Sequence, residues 1–165
     1  MNATTQSKPS EATIEAVADV PIIKITREFA ATPEQLLRAH TDPELYARWV
    51  GPSSVSTTID YWDARTGGSF RFLNHRDGEE YAFRGCFHEV GPDRIVQTFT
   101  WEGMPESVAL ETLRFEPVGD GRSRLVAQSL CDSFEGRDAW LASGMEVGVN
   151  EGYAALDELL ADAAV

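Results

Sequence analysis

Alternating apolar and polar positions dominate the middle of the chain and predict a series of β-strands. Ile22 to Phe29 is the first of them, and six more follow a pair of short helices. Glycine-containing turns such as Gly67-Gly68 and Asp77-Gly78 separate these strands. The six later strands are predicted over residues 55–63, 69–75, 81–90, 94–101, 107–116 and 122–131. Connections this short indicate an antiparallel meander.

Two helix starts lie between the first and second predicted strands. Thr32-Pro33 and Asp42-Pro43 each place a capping side chain before a proline at the first helical position. The first helix is expected to end near His40 and the second near Trp49, where Gly51-Pro52 stops it.

The end of the chain changes to helical spacing. Apolar residues recur at steps of three or four from Arg137 to Ala161, which predicts one long helix. Gly144, Gly148 and Gly152 recur along it at every fourth residue. Each glycine costs a helix about 1 kcal/mol relative to alanine, so the series indicates close packing against the sheet or room beside a cavity.

These elements predict an α+β fold. An antiparallel sheet needs its apolar face covered, and the C-terminal helix is the only predicted element large enough to cover it. The chain of 165 residues fits one domain. We expect residues 1–20 to form a disordered tail and residues 21–165 to form the domain.

Charge narrows the classes of partner. The formal net charge is −13, from 27 acidic and 14 basic residues. Such a surface repels phosphate backbones and anionic lipids, so neither a nucleic acid nor a membrane is expected as a partner, and a neutral or cationic ligand is favoured.

Residues 1–19 lack the basic and apolar regions of a signal peptide, which favours a cytoplasmic protein. A homodimer is allowed but not required.

Several motifs resemble one known family. They are the stretch from Ile25 to Pro52 with its Arg-Trp-Val-Gly-Pro end, the Gly-Gly-Ser-Phe-Arg-Phe hairpin from Gly67, the run from Gly85 to Thr98, and Gly-Met-Glu-Val-Gly from Gly144. Together they resemble the START-like (SRPBCC, Bet v 1-like) superfamily over residues 22–161. The nearest branch is the one named after the C-terminal domain of the Hsp90 ATPase activator.

The resemblance implies a helix-grip fold, in which a seven-stranded antiparallel sheet wraps a long C-terminal helix and two short helices follow strand 1. It also implies a cavity between sheet and helix, but no single activity. Members bind lipids or polyketides, cyclise polyketides, or act as co-chaperones. The co-chaperone has an extra N-terminal domain without a counterpart in this sequence, so a chaperone partner is the less favoured expectation.

The leading hypothesis is therefore the binding of a small apolar or aromatic molecule. Large aromatic residues of the strands and apolar residues of the long helix are the candidate contacts, although the same residues would serve equally as ordinary core. The candidates are Trp49, Phe72, Phe83, Phe87, Phe99, Trp101, Met104, Met145, Val149 and Tyr153.

The sequence gives little evidence for catalytic or metal-binding residues. No catalytic motif is present, and His40, His75 and His88 lack the spacing of metal ligands, so we predict no metal and no cofactor. A cyclase or aromatase remains open and would require an ionisable group inside the cavity. Arg71, His75 and Glu146 are more simply explained as surface groups than as such a group. Sequestration of a reactive natural product is a further alternative.

Overall fold

The computed structural model describes residues 11–162. Within this range, twelve elements follow one another along the chain. They are β1 (Thr13–Ala16), β2 (Ile22–Phe29), α1 (Pro33–Thr41), α2 (Pro43–Trp49), β3 (Ser56–Trp62), β4 (Ser69–Arg76), β5 (Glu79–Val90), β6 (Arg94–Trp101), β7 (Ala109–Gly119), β8 (Arg122–Leu130), α3 (Phe134–Ala142) and α4 (Met145–Ala161).

The strands form one antiparallel sheet in the order β1-β2-β8-β7-β6-β5-β4-β3. Strands β3 to β8 are the predicted meander, and β2 closes it by pairing with β8 from Ile22 opposite Leu130 to Phe29 opposite Ser123. The sheet thus has eight strands over residues 11–162, and the prediction of seven is wrong.

The additional strand is β1, which lies in the range expected to be a tail. It pairs with β2 from Thr13 opposite Thr26 to Ala16 opposite Ile23. Its four residues contain too short an apolar alternation to mark a strand, and only the free edge of β2 supplies their hydrogen-bond partners. Residues 1–10 of the expected tail lie outside the described residues.

Both short helices start where their capping residues predict. Thr32 accepts a hydrogen bond from the backbone N–H of Gln35, whose side chain in turn accepts one from the backbone N–H of Thr32. Asp42 caps α2 in a similar way through the backbone N–H groups of Glu44 and Leu45.

The prediction of a single long C-terminal helix is wrong, because two helices, α3 and α4, occupy this part of the chain. Gly144 lies between α3 and α4 with a φ of 84°, a left-handed conformation that glycine adopts without steric cost. Helix α3 begins earlier than predicted, because Ser133 caps it by accepting a hydrogen bond from the N–H of Gly136. The spacing of apolar residues continues through this break and therefore did not reveal it.

Two glycines let α4 approach α2 closely. A Cβ atom at Gly152 would lie 3.0 Å from the carbonyl oxygen of Trp49, and one at Gly148 would lie 3.4 Å from Cδ of Pro52. The glycine series thus serves packing against α2 and the loop that follows it, rather than against the sheet.

Side chains connect α4 to the sheet at β2. Arg27, whose side chain is 2% exposed, forms two hydrogen bonds with the carboxylate of Asp157, at 2.8 and 2.6 Å. Phe29 meets the ring of Tyr153 edge to face, with centroids 5.4 Å apart. A paired, buried guanidinium of this kind fixes the orientation of the helix, because moving it would leave a charge unpaired.

No helix within residues 11–162 is long and apolar enough to cross a lipid bilayer.

The packing of α4 predicts different effects at its two glycines. Alanine at either position gains up to about 1 kcal/mol of helix propensity. In Gly152→Ala the new methyl group meets backbone atoms of Trp49 and Gly51, which cannot move aside, whereas in Gly148→Ala it reaches only ordinary contact with Pro52. We expect Gly148→Ala to be the more stable variant by about 1 kcal/mol in urea unfolding. Equal stabilisation by both changes would contradict the close approach of the two helices.

Candidate functional site

A pocket of about 300 Å³ lies where the inward face of the sheet meets the helices. Strands β2 to β8 contribute side chains to its wall, and so do all four helices. Apolar and aromatic side chains make up most of this wall. They include Ile25, Trp62, Phe70, Phe72, Phe83, Ile95, Phe99, Leu113, Ala127, Trp140, Met145 and Val149.

Stacked rings form a continuous aromatic side of the pocket. Phe72 and Phe83 are direct partners across β4 and β5, and their ring centroids are 5.3 Å apart. Phe83 stacks in turn on Phe99 of β6, and Phe99 lies parallel to Trp140 of α3 at 6.2 Å. Such pairs add to the free energy gained from burial and hold the ring planes in fixed positions.

Seven of the ten candidate residues lie on this wall. They are Trp49, Phe72, Phe83, Phe99, Met145, Val149 and Tyr153.

The other three candidates lie elsewhere. Phe87 is 2% exposed and fills the core beside the pocket, between the rings of Phe70 and Trp62. Trp101 is 41% exposed because β6 ends there and its ring lies over Gly103, where a Cβ atom would meet it at 2.3 Å. Met104 lies in the following turn and is 49% exposed.

The polar residues considered from the sequence lie outside the pocket. Arg71 binds the carboxylates of Glu102 and Asp60. His75 makes a hydrogen bond with the hydroxyl of Thr58, and Glu146 is exposed on the first turn of α4. None of these three side chains can therefore supply the ionisable group that a pocket enzyme would need.

A row of polar side chains crosses three neighbouring strands inside the pocket. Gln97 of β6 pairs with Glu111 of β7, and Glu111 pairs with Ser129 of β8. The Gln97 amide donates to one carboxylate oxygen of Glu111 at 3.0 Å, and the Ser129 hydroxyl donates to the other at 2.7 Å. Glu111 is the one acidic residue on the pocket wall formed by residues 11–162, and no arginine or lysine lies on that wall.

Burial raises the pKa of Glu111, and the hydrogen bonds from Ser129 and Gln97 offset part of that rise. Desolvation disfavours the charged form of a carboxyl group, and neutral donors compensate it less than a cation would. The half-buried carboxyl group of Glu111 thus takes up a proton more readily than an exposed one.

His40 adds a second titratable group to the wall. Its Nδ1 donates to the carbonyl oxygen of Leu36 at 2.7 Å, since a carbonyl can only accept. Burial lowers the pKa of His40 to about 4, so the ring is neutral near pH 7 and Nε2 is an acceptor. The ring is held between Trp49 and Phe115, at centroid distances of 4.8 and 5.1 Å.

Two tyrosines face the same space. Burial raises the pKa of both Tyr46 and Tyr153, and the charge of Glu111 adds to the rise in each case. Glu111 therefore lies within electrostatic range of both phenols. Both tyrosines lie on the pocket wall.

Sequence reasoning missed Glu111, although the sequence contains a signal for it. Ala109, Leu113 and Phe115 share a strand face with Glu111, so a charged residue interrupts an apolar series. Gln97 interrupts the series Ile95 to Phe99 in the same way. Only the strand register shows that Gln97 and Glu111 lie side by side on neighbouring strands. The apolar residue Leu110 on the opposite face of β7 also makes the alternation of apolar and polar positions harder to recognise in the sequence.

Residues 30–161 match the family model described as Activator of Hsp90 ATPase homolog 1-like protein. The chain belongs to this family. The match confirms the resemblance drawn from the motifs, and with it the place of the chain in the START-like superfamily. Comparison with functionally curated proteins gave no match.

Solved structures of similar proteins agree with this family. A protein from Rhodobacter sphaeroides is 29% identical, with a TM-score of 0.81 over 90% of this chain and 97% of its own. The protein Ms6760 from Mycobacterium smegmatis is 25% identical, with a TM-score of 0.82 over 95% and 99% of the two chains. An AHSA1 protein from Silicibacter pomeroyi, 22% identical, shares the fold with a TM-score of 0.68 over 85% and 97%.

The environment of Glu111 predicts a pH-dependent gain in stability on neutralising it. Because its pKa is raised in the folded state, the stability that it contributes is present at acid pH and is lost as the pH rises through the folded pKa. Glu111→Gln should therefore raise Tm above that of the wild type at about pH 8, and the difference should shrink towards about pH 4.5. Thermal unfolding followed by circular dichroism measures both differences.

Glu116→Gln is the matched control, since Glu116 is an exposed residue of the same strand and should show no such trend. A Glu111→Gln variant less stable than the wild type at every pH would mean that the hydrogen bonds to the carboxylate outweigh its desolvation.

Proposed function

We propose that the pocket is an internal cavity that binds one small apolar or aromatic molecule. The observation that carries this proposal is the wall of stacked rings around an open volume of about 300 Å³. An ordinary core is packed without voids of this size, because unfilled space forfeits dispersion contacts. An apolar guest would restore those contacts.

The volume favours a compact ligand. Ligand sites typically span about 300–1,000 Å³, and this pocket lies at the lower end of that range. The stacked rings of Phe72, Phe83 and Phe99 form an apolar surface that an aromatic guest can pack against. We therefore expect a molecule of one or two rings rather than a long acyl chain.

In this proposal the fold acts as a helix grip. Sheet and α4 enclose the ligand, and the Arg27–Asp157 pair holds the helix in place beside it. The superfamily resemblance is consistent with such a role, since its members bind lipids or polyketides.

A second candidate is an enzyme of the cyclase or aromatase kind. Glu111 is the ionisable pocket group that this hypothesis requires, and burial raises its pKa, which favours its protonated form more than in an exposed carboxyl group. Mass spectrometry of a ligand after incubation distinguishes the two: binding returns the ligand unchanged, whereas catalysis returns a product. A co-chaperone role needs no pocket, and we favour it less.

A pair of valines on α4 tests the binding proposal. Val149 lies on the pocket wall, whereas Val147 on the same helix is 59% exposed. We expect the wild type to bind the neutral fluorescent probe N-phenyl-1-naphthylamine with one-to-one stoichiometry. Val149→Phe should weaken this binding by about tenfold or more, equal to about 1.4 kcal/mol, because the added ring occupies the volume that the probe needs.

Val147→Phe is the matched control and should bind the probe as the wild type does. Fluorescence titration of the three proteins gives the affinities, and circular dichroism establishes that each is folded. Equal weakening by the two substitutions, or no saturable binding by the wild type, would contradict the proposal.

A further inference from the structure

The pocket wall formed by residues 11–162 carries one carboxyl group and no arginine or lysine. Among residues 11–162, Glu111 is the only carboxyl group on the wall, and both of its hydrogen-bond partners, Gln97 and Ser129, are neutral. Each carboxylate oxygen has a second acceptor position, and no protein cation lies on the wall to occupy it. The negative charge that Glu111 can carry is thus uncompensated by the protein.

Aromatic rings line the same pocket as this carboxyl group. Tyr46, Trp49 and Tyr153 share the pocket wall with Glu111, and the ring of Trp49 lies 5.3 Å from that of Tyr46 and 6.1 Å from that of Tyr153. The faces of tyrosine and tryptophan rings attract cations, and the guanidinium of Arg27 already lies over the ring of Tyr153, 5.8 Å from its centroid. The phenol oxygens of Tyr46 and Tyr153 can accept additional hydrogen bonds from an ammonium group.

We propose that the pocket selects an apolar amine, bound as its ammonium ion, with the charged nitrogen at Glu111 and the hydrocarbon part against the stacked rings. This inference rests on the proposed ligand-binding function and names its ligand class. A ligand carboxylate or phosphate would instead meet Glu111 with no cation to balance it. The net charge of −13 favours the same class, since it attracts cations towards the protein.

Desolvation of the two charged groups is the main cost of this pairing. A buried ion pair often gains little, because both ions must leave water. Glu111 is half-buried in the folded protein, so part of its desolvation cost has been met before the ligand binds. The surrounding rings return part of that cost.

Two ligands of nearly equal shape test this preference. 1-Naphthylmethylamine carries an ammonium group where 1-naphthylmethanol carries a neutral hydroxyl. In isothermal titration calorimetry at about pH 8, we expect the wild type to bind the amine more tightly than the alcohol by about tenfold or more. Glu111→Gln should remove that preference by weakening the amine, while the affinity for the alcohol changes by less than about twofold.

Glu116→Gln, on the exposed face of the same strand, should retain the wild-type preference. Equal affinity of the wild type for amine and alcohol would overturn the inference without any variant, as would an equal effect of Glu111→Gln on both ligands. If N-phenyl-1-naphthylamine binds but 1-naphthylmethylamine does not, the preference for ammonium ligands is contradicted, whereas the proposed binding of a small apolar molecule is still supported. If none of the three compounds binds, the proposed function fails as well.

Discussion

The register of β6, β7 and β8 is the constraint on which the pocket depends. It places Gln97, Glu111 and Ser129 in one row on the inward face, and it places Leu110 and Leu130 opposite each other on the outer face. Side chains alternate between the faces of a sheet, so a slip of one residue in β7 would turn Glu111 outward and Leu110 inward. The apolar wall and the one carboxyl group that residues 11–162 place on it thus arise from the same pairing.

The polar row and the aromatic wall have opposite effects on stability. Stacked rings such as Phe83 and Phe99 stabilise the folded state, whereas the charged form of Glu111, which burial disfavours and no cation on the wall of residues 11–162 balances, destabilises it. A leucine at position 111 would extend the apolar series of β7 without that cost. A destabilising group that faces a pocket is typical of functional sites, and for this reason we propose Glu111 as a ligand-recognition residue.

Much of the fold can be predicted from patterns among residues that are close in sequence. Thr32 and Asp42 mark the helix starts through their own side chains, and the alternation of apolar residues marks the strands from Ile22 onward. Features that depend on partners distant in sequence were not accessible in this way. Strand β1 exists through its pairing with β2, and the exposure of Trp101 follows from where β6 ends. The polar row appears only when three strands are aligned.

Intermolecular nuclear Overhauser effects from a bound ligand test the central claim most directly. With N-phenyl-1-naphthylamine at saturation, an internal ligand site predicts contacts between the probe and the methyl groups of Leu113, Met145 and Val149, which lie on the pocket wall. Leu110 and Leu130 are exposed on the outer face of the same sheet and provide an internal comparison. Contacts confined to those two residues would show that the molecule binds the exterior, and would contradict an internal ligand site.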